Sequence, residues 1–196
     1  MSKVDLIKAI RNRTNLSYKD ITKAIDTLQT EDEGKIIDYL REQGVLKAQA
    51  REGRETNYGS IFSYVHDGRI GVLLEIKCET DFVALSDDFK QLGQDICLHI
   101  VAFAPKFVDE ANAPEEFVAK EIEIAAQQLE NEGKTGDMVS KILEGKKAKI
   151  IKENALLSQA FIKDQDITVN QAVINVGQET GEKITVTRFS LFALNG

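Results

Sequence analysis

The feature that most constrains this chain is a change of hydrophobic period at Tyr58. Before Tyr58, apolar residues recur every three or four positions, as they do on one face of a helix. After it, two β-rich runs, YGSIFSYV and RIGVLLEIKC, lie on either side of Asp67-Gly68. An Asp-Gly pair between such runs favours a tight hairpin turn, because that turn needs positive φ angles. We therefore expect helices first and a small antiparallel sheet afterwards.

The first 46 residues predict three short helices, each with one apolar face. The residues on these faces are Val4, Leu6, Ile7 and Ile10, then Ile21, Ala24, Ile25 and Leu28, then Ile36, Ile37 and Leu40. Gly44 is a residue type that commonly ends a helix. Because three helices of this size bury only a small core, such bundles are typical of docking modules. We predict a three-helix module at residues 1–46, followed by a polar linker at residues 47–57.

Residues 58–196 predict an α+β core, in which a small antiparallel sheet packs with helices. An apolar stripe that includes Phe89 and Phe103 predicts a helix that begins near Ser86. Residues of about 114–157 predict a helical hairpin, with an interruption of its second helix at Gly145. The alternating residues near the end of the chain, EKITVTRFSLFAL, predict a strand beside the first hairpin.

Charge and composition narrow the function classes. The net charge is −7, which disfavours direct nucleic-acid binding. No apolar run approaches the ~18 residues that span a bilayer, and the first residues do not resemble a secretory signal. We therefore expect a cytoplasmic protein in which Cys78 and Cys97 are reduced, structural thiols. The chain has two histidines and no recognisable catalytic motif, so we expect neither an enzyme nor a bound metal or cofactor.

The segment from Cys78 to Ala84 follows a predicted strand and precedes a predicted helix. Phe82 therefore falls in a short connection, and two interpretations remain open for it. An apolar residue in such a connection often lies beneath the following helix. Alternatively, Phe82 and its acidic neighbour Asp81 form a rigidly held aromatic wedge that enters a cleft on a partner protein, as interface anchors do.

Two further features also have a structural and a functional interpretation. His99 lies on the apolar face of its predicted helix, where it is either a core histidine with a hydrogen bond or a contact for a partner. A basic cluster at the start of another helix is either a solvated face or a patch for RNA or an acidic partner. The residues of that cluster are Lys146, Lys147, Lys149 and Lys152.

Several motifs together resemble the elongation factor Ts family, the guanine-nucleotide exchange factors of elongation factor Tu. The strongest match is EIKCETDFVA, at Glu75–Ala84, and a second is IRNRTNLSYKDITKAI, at Ile10–Ile25. Further matches, in the family's order along the chain, lie at His66–Glu75, Ile96–Val108, Glu132–Lys146 and Lys183–Phe192. The sequence departs from the family at Asn15–Lys19, where a glycine-rich turn and two apolar residues are usual.

The resemblance implies a mechanism and a set of contact residues. The three-helix module would be similar to ubiquitin-associated domains and would grip the G domain of elongation factor Tu. Asp81 and Phe82, framed by Thr80 and Val83, would enter beside the Mg²⁺ site of elongation factor Tu, displace the metal and release GDP for exchange with GTP. The other residues expected to contact the partner are Arg11, Tyr18, Lys19, Lys23 and His99.

The resemblance also implies an assembly. Short members of the family act as homodimers in which the second subunit supplies a missing half-core. No cysteine lies on the predicted C-terminal strand, so we expect a non-covalent dimer. The partner would be elongation factor Tu in its GDP-bound and nucleotide-free forms. The rival class is a protein-binding module or scaffold that uses its three-helix domain without promoting exchange.

Overall fold

The computed structural model describes residues 3–14, 16, 18–131 and 137–194. The predicted α+β class is confirmed, since three helices precede a small antiparallel sheet with helices. The chain forms two compact units. Unit 1 comprises Met1–Ile61, Glu75–Gly93 and Gln171–Val186, and unit 2 comprises Phe62–Leu74, Gln94–Asn170 and Thr187–Gly196.

The N-terminal helices are α1 (Lys3–Thr14), α2 (Tyr18–Leu28) and α3 (Glu33–Gln49). They share one apolar core, and the predicted faces contribute to it except at Val4, which is exposed on α1. Its buried members are Leu6, Ile7, Ile10, Leu16, Ile21, Ala24, Ile25, Ile36, Ile37 and Leu40. Asn15 and Ser17, at the departure from the family's turn, lie outside the described residues.

The prediction that Gly44 ends the third helix is wrong, because α3 continues to Gln49. Gly44 is buried inside the helix, and a Cβ atom placed there would collide with the side chain of Gln178. The glycine therefore permits a close approach within unit 1, where a larger residue would overpack the contact. The helix extends three residues past the predicted module boundary, and the boundaries at 46 and 57 stay predictions.

The main sheet has three strands in the order β1-β2-β5. Strands β1 (Tyr58–His66) and β2 (Ile70–Cys78) form the predicted hairpin, and β5 (Thr185–Ala193) lies beside β2. Asp67 and Gly68 in the hairpin turn have φ angles of 50° and 65°. Both values are in the left-handed region that an Asp-Gly pair tolerates, which confirms the reason for predicting the turn.

The helices of the body begin with the single turn α4 (Asp81–Ala84) and the longer α5 (Asp87–Phe103). The Oγ atom of Ser86 accepts a hydrogen bond from the Phe89 amide at 3.3 Å, so α5 begins where its sequence predicted. The remaining elements are α6 (Glu115–Asn131), α7 (Asp137–Asn154), β3 (Ala160–Phe161), β4 (Asp164–Thr168) and α8 (Val169–Thr180). Short 3₁₀ turns lie at Glu110–Asn112 and Leu156–Ser158.

Helices α6 and α7 pack against each other in unit 2, as the predicted helical hairpin requires. The predicted interruption at Gly145 is wrong, because α7 passes through that residue without a break. A glycine inside a helix costs only about 1 kcal/mol relative to alanine. The helical residues on both sides of Gly145 outweigh that cost.

Candidate partner-binding site

The candidate site is a turn of four residues, Thr80–Val83, which we call the 80–83 turn. One residue, Glu79, separates it from the end of β2, and Thr80 begins it in an extended conformation with φ −129° and ψ 160°. The Oγ1 atom of Thr80 accepts a hydrogen bond from the Val83 amide at 3.4 Å and so caps α4. Ala84, the last residue of α4, is buried and anchors the turn in unit 1.

Phe82 projects from this turn with 83% of its surface exposed. The structure thus rejects the interpretation in which Phe82 lies beneath the following helix. Asp81 is also exposed, and the side chain of Leu85 is 67% exposed just after α4. The side chains of Phe82 and Leu85 are therefore both accessible to another molecule.

The backbone before Phe82 is held by a carboxylate that the sequence analysis did not single out. Glu182 Oε2 accepts hydrogen bonds from the amides of Glu79 and Thr80, both at 3.0 Å. Glu182 Oε1 accepts a further hydrogen bond, at 2.6 Å, from the Thr80 hydroxyl. No local pattern could reveal this contact, because Glu182 lies about a hundred residues further along the chain.

The carboxylate of Glu79 also accepts a backbone amide hydrogen bond, from the segment that carries Glu182. Glu79 Oε1 accepts a hydrogen bond from the amide of Lys183, and Nη1 of Arg54 donates to both Glu79 oxygens at 3.2 and 3.3 Å. Partial burial on its own would raise the pKa of Glu79, but the Lys183 amide and the Arg54 guanidinium outweigh it and lower that pKa. Glu79 is therefore a charged acceptor at neutral pH.

The two cysteines are free, buried thiols, as predicted. Burial, followed by the nearby charge of Glu182, raises the pKa of Cys78 to about 11. Burial alone raises the pKa of Cys97 to about 12. Both thiols stay protonated at neutral pH, so neither is a reactive nucleophile.

The partner-contact residues predicted on the three-helix module are Arg11, Tyr18, Lys19 and Lys23, which we call the module face. All four side chains are exposed, on α1 and α2. The structure brings two of them together, since the Arg11 guanidinium lies 5.3 Å from the centre of the Tyr18 ring. This distance is within the range of a cation–π contact, which orients both side chains on the surface.

His99 is fully buried in unit 2, which matches the core-histidine interpretation. Its Nδ1 atom accepts a hydrogen bond from the Ile162 amide at 3.3 Å, so Nε2 carries the proton and donates to Gln159 Oε1 at 2.9 Å. Burial lowers the pKa of His99, although the Gln159 contact opposes that shift. The His99 side chain is thus not exposed to a partner in this structure, and its role in partner binding stays a prediction.

Surface features near His99 belong to unit 2 as well. The His99 ring lies 4.7 Å from that of Phe103, centre to centre, and Phe103 borders an open groove of about 530 Å³. Lys149 and Lys152 of the basic cluster also line this groove. Lys149 lies 3.6 Å from the carboxylate of Glu153 one helical turn later, a weak surface ion pair.

The described residues hold no cluster of histidine, cysteine and acidic side chains that could bind a metal ion. Within the same residues, no helix is both long and apolar enough to cross a membrane. The residues of the 80–83 turn do not form a pair of acid and base groups. They present an exposed aromatic side chain on a backbone that is held by hydrogen bonds.

Comparison with known proteins assigns the chain as a whole to a family. Residues 6–196 match the family described as Elongation factor TS. The chain belongs to the elongation factor Ts family. The elongation factor Ts of Fervidobacterium nodosum is 42% identical over 185 residues, which cover 94% of this chain and 93% of that protein. Membership of the elongation factor Ts family assigns the protein to translation, at the elongation stage of protein biosynthesis.

Two other members of the family show the same near-complete overlap. The elongation factor Ts of Moorella thermoacetica is 43% identical over 184 residues, which cover 93% of this chain and 90% of that protein. The elongation factor Ts of Leptospira biflexa is 41% identical over 191 residues, which cover 97% of this chain and 96% of that protein. The family that the sequence motifs indicated is thereby confirmed.

Proposed function

We propose that this protein binds elongation factor Tu with GDP, displaces the Mg²⁺ ion of that partner and promotes the exchange of GDP for GTP. The single observation that carries the proposal is the exposure of Phe82 on the hydrogen-bonded 80–83 turn. Because Phe82 is not buried in its own fold, the free energy of burying its ring can be gained when a partner binds. Burying its ring supplies about 1.5–3 kcal/mol, and interface anchors are typically aromatic residues of this kind.

The proposed roles within the turn combine the family resemblance with the exposure and hydrogen bonds of its residues. Phe82 is the wedge that enters the partner beside the Mg²⁺ site, and Asp81 places a carboxylate next to it. Thr80 caps the turn and Val83, half-buried, closes it, so both act by fixing the direction of Phe82. The protein makes and breaks no covalent bond in this mechanism, so it is an exchange factor and not an enzyme.

Thermodynamic linkage sets what the interaction has to achieve. An exchange factor must bind nucleotide-free elongation factor Tu more tightly than the GDP-bound form, and by reciprocity GDP then binds the complex more weakly by the same ratio. A coupling free energy of about 4 kcal/mol corresponds to roughly a thousandfold weaker GDP binding. Because burial of Phe82 supplies only part of this coupling, displacement of Mg²⁺ supplies the remainder, whereas contacts of the module face that are made in both states add affinity without adding coupling.

The module face supports a docking role for the three-helix domain, which we propose at residues 1–46 and joined to the core by residues 47–57. Arg11, Lys19 and Lys23 present positive charge, and Tyr18 adds an aromatic contact. Tyrosine and arginine are enriched at interface hot spots, and exposed lysines add electrostatic attraction to an acidic partner surface. His99 would act from within the core by fixing Gln159 beneath the groove at Phe103.

The protein also forms a non-covalent homodimer in this proposal. In unit 2, Val65 and Leu73 are exposed on the hairpin, although Val72 and Leu74, on either side of Leu73, are buried. Phe192 on β5 is 68% exposed. Apolar side chains that a sheet leaves uncovered favour a symmetric contact with a second copy, and sedimentation at micromolar concentration should then give twice the chain mass. We place this activity in the cytoplasm, where translation takes place.

The proposed exchange activity is tested by the release of a fluorescent GDP analogue from elongation factor Tu in a stopped-flow instrument. We expect release to accelerate with the concentration of this protein. Complex formation without acceleration would contradict the exchange mechanism. That outcome would favour the rival interpretation, a binding module that uses only its three-helix domain.

A further inference from the structure

Unit 1 holds an interlocked pair of carboxylates, Glu79 and Glu182, which we call the carboxylate clamp. Each carboxylate accepts a backbone amide hydrogen bond from the segment that carries the other. Glu79 N–H donates to Glu182, and Lys183 N–H donates to Glu79. The clamp thus joins the end of β2 to the turn that precedes β5, a turn in which Gly181 has a φ angle of 76°.

We propose that Glu182 is a positioning residue for Phe82, and that it fixes the direction in which the wedge leaves the sheet. This inference rests on the proposed exchange function and adds a residue to it. Glu182 does not touch the partner in this account. It acts through the backbone of Glu79, which connects β2 to the 80–83 turn, and of Thr80, the first residue of that turn.

The contacts of Glu182 reach the turn along two routes. On the first, one carboxylate oxygen holds two successive amides, those of Glu79 and Thr80, and so restrains the backbone where the chain leaves the strand. On the second, the other oxygen accepts a hydrogen bond from the Thr80 hydroxyl group. The Oγ1 atom of that hydroxyl group accepts a hydrogen bond from the Val83 amide. Hydrogen bonds to a charged acceptor are about twice as strong as those between neutral groups.

The 80–83 turn needs such support because it has little of its own. Helix α4 is a single turn, and an isolated turn of helix is unstable in water, since nucleation fixes several dihedral angles for few hydrogen bonds. Phe82 cannot be held by packing, because most of its surface faces solvent. A wedge that is already ordered before binding loses less entropy when it enters the partner.

Two basic side chains connect the clamp to the segment before β1, and one of them, Arg54, also offsets the charge of Glu79. Nη1 of Arg54 contacts both oxygens of Glu79 and lies 3.5 Å from the carbonyl oxygen of Gly181. The ammonium group of Lys183 donates to the carbonyl oxygens of Glu52 and Arg54. The segment from Glu52 to Arg54 is therefore joined to Glu79 by the Arg54 side chain and to Lys183 by two backbone carbonyl groups.

The experiment compares wild type with Glu182→Ala and Glu182→Gln. Val186→Ala is a matched control for stability, because Val186 is buried on β5 in the same unit and its side chain has no polar group that could hydrogen-bond to the clamp. Glu123→Gln is the control for the loss of one negative charge, at an exposed position on α6. The readouts are amide hydrogen exchange at Thr80 and Val83 in the free protein, and GDP release from elongation factor Tu.

For Glu182→Ala we expect amide exchange at Thr80 and Val83 to accelerate at least tenfold more than in Val186→Ala. We expect the maximal rate of GDP release to fall about tenfold, whereas the concentration for half-maximal release, set mainly by the module face, changes less than threefold. Glu182→Gln keeps one acceptor oxygen and should restore part of both losses. Glu123→Gln should match wild type.

The outcomes separate this inference from the proposed function. If wild type accelerates GDP release and Glu182→Ala does so equally well, the positioning role is overturned. The same conclusion follows if Val186→Ala loosens the Thr80 and Val83 amides as much as Glu182→Ala does. If wild type fails to accelerate GDP release but Glu182→Ala selectively loosens these amides, the exchange function is refuted and the control of the turn by Glu182 stands.

Discussion

Phe82 and His99 differ in burial in the direction opposite to the one that their polarity would predict. The apolar Phe82 is 83% exposed in unit 1, whereas the polar His99 is fully buried in unit 2. Each exception has its own support. Hydrogen bonds to the backbone hold the turn that carries Phe82, and both nitrogens of His99 have partners.

The difference between these two aromatic residues indicates where stability and function reside. The buried histidine contributes to the fold, because removing it would leave buried polar partners unpaired. The exposed phenylalanine contributes little to its own fold, because its ring gains nothing from staying in water. An exposed apolar residue that does not stabilise its own fold is therefore the better candidate for a partner contact.

The largest expected effect is on the His99 side of this comparison. His99→Ala should lower the free energy of unfolding by about 3 kcal/mol, because it leaves a cavity and removes the partners of Gln159 Oε1 and the Ile162 amide. Chemical denaturation measures this change. His66→Ala, in the exposed hairpin turn, is the matched control and should shift stability by less than about 0.5 kcal/mol. Equal losses in the two variants would remove the distinction.

The next effect belongs to Phe82 and appears in binding. Phe82→Ala should weaken the complex with nucleotide-free elongation factor Tu by about 2 kcal/mol, close to thirtyfold, as expected for the loss of an interface anchor. The free energy of unfolding should stay within about 0.5 kcal/mol of wild type. Ile124→Ala removes another exposed apolar side chain, on α6, and should leave the affinity unchanged. Calorimetric titration of the two variants decides between these outcomes.

A smaller effect is expected from the module face, and it separates docking from the wedge. Lys19→Ala combined with Lys23→Ala should weaken complex formation by about 1 kcal/mol, and more so at low salt, because both charges are exposed. The maximal rate of GDP release should not change. Lys90→Ala combined with Lys120→Ala removes two exposed charges elsewhere and serves as the control. A lower maximal rate in the first double variant would argue against separate roles.

The smallest effect is the pH dependence that His99 gives to stability. The pKa of His99 is lower in the folded protein than its ordinary value near 6.5. The unfolded chain therefore binds a proton that the folded chain does not, and the stability present above pH 6.5 decreases as the pH falls below it. The variant His99→Gln should show a flatter dependence between pH 7 and 5. A slope as steep as that of wild type would assign the proton to another group.

The sequence predicted the parts of this fold that depend on local patterns. Periodicity located the three N-terminal helices, and the Asp67-Gly68 pair located the hairpin turn. The predictions of a helix end at Gly44 and of an interruption at Gly145 were wrong, because a helix continues through a glycine when the neighbouring residues favour the helix. At Gly44 the reason for the glycine is a contact with Gln178, far away in sequence, which no local pattern encodes.

The candidate site was predicted in a similarly uneven way. The motif around Phe82 and its position after a strand could be identified from sequence, but its exposure could not, because a connecting residue can pack either way. Glu182 was missed, since its hydrogen bonds depend on the pairing of β5 with β2 and on the turn before β5. Side chains that support a site from a distant strand become visible only when the fold is known.

The central claim is that an exposed Phe82, held by a hydrogen-bonded turn, drives GDP out of elongation factor Tu. The most direct test measures the maximal rate of release of a fluorescent GDP analogue at saturating concentrations of wild type and of Phe82→Ala. The account predicts that wild type accelerates release and that Phe82→Ala lowers the maximal rate by roughly tenfold or more while its fold stays intact. A Phe82→Ala protein that releases GDP as fast as wild type would contradict the account.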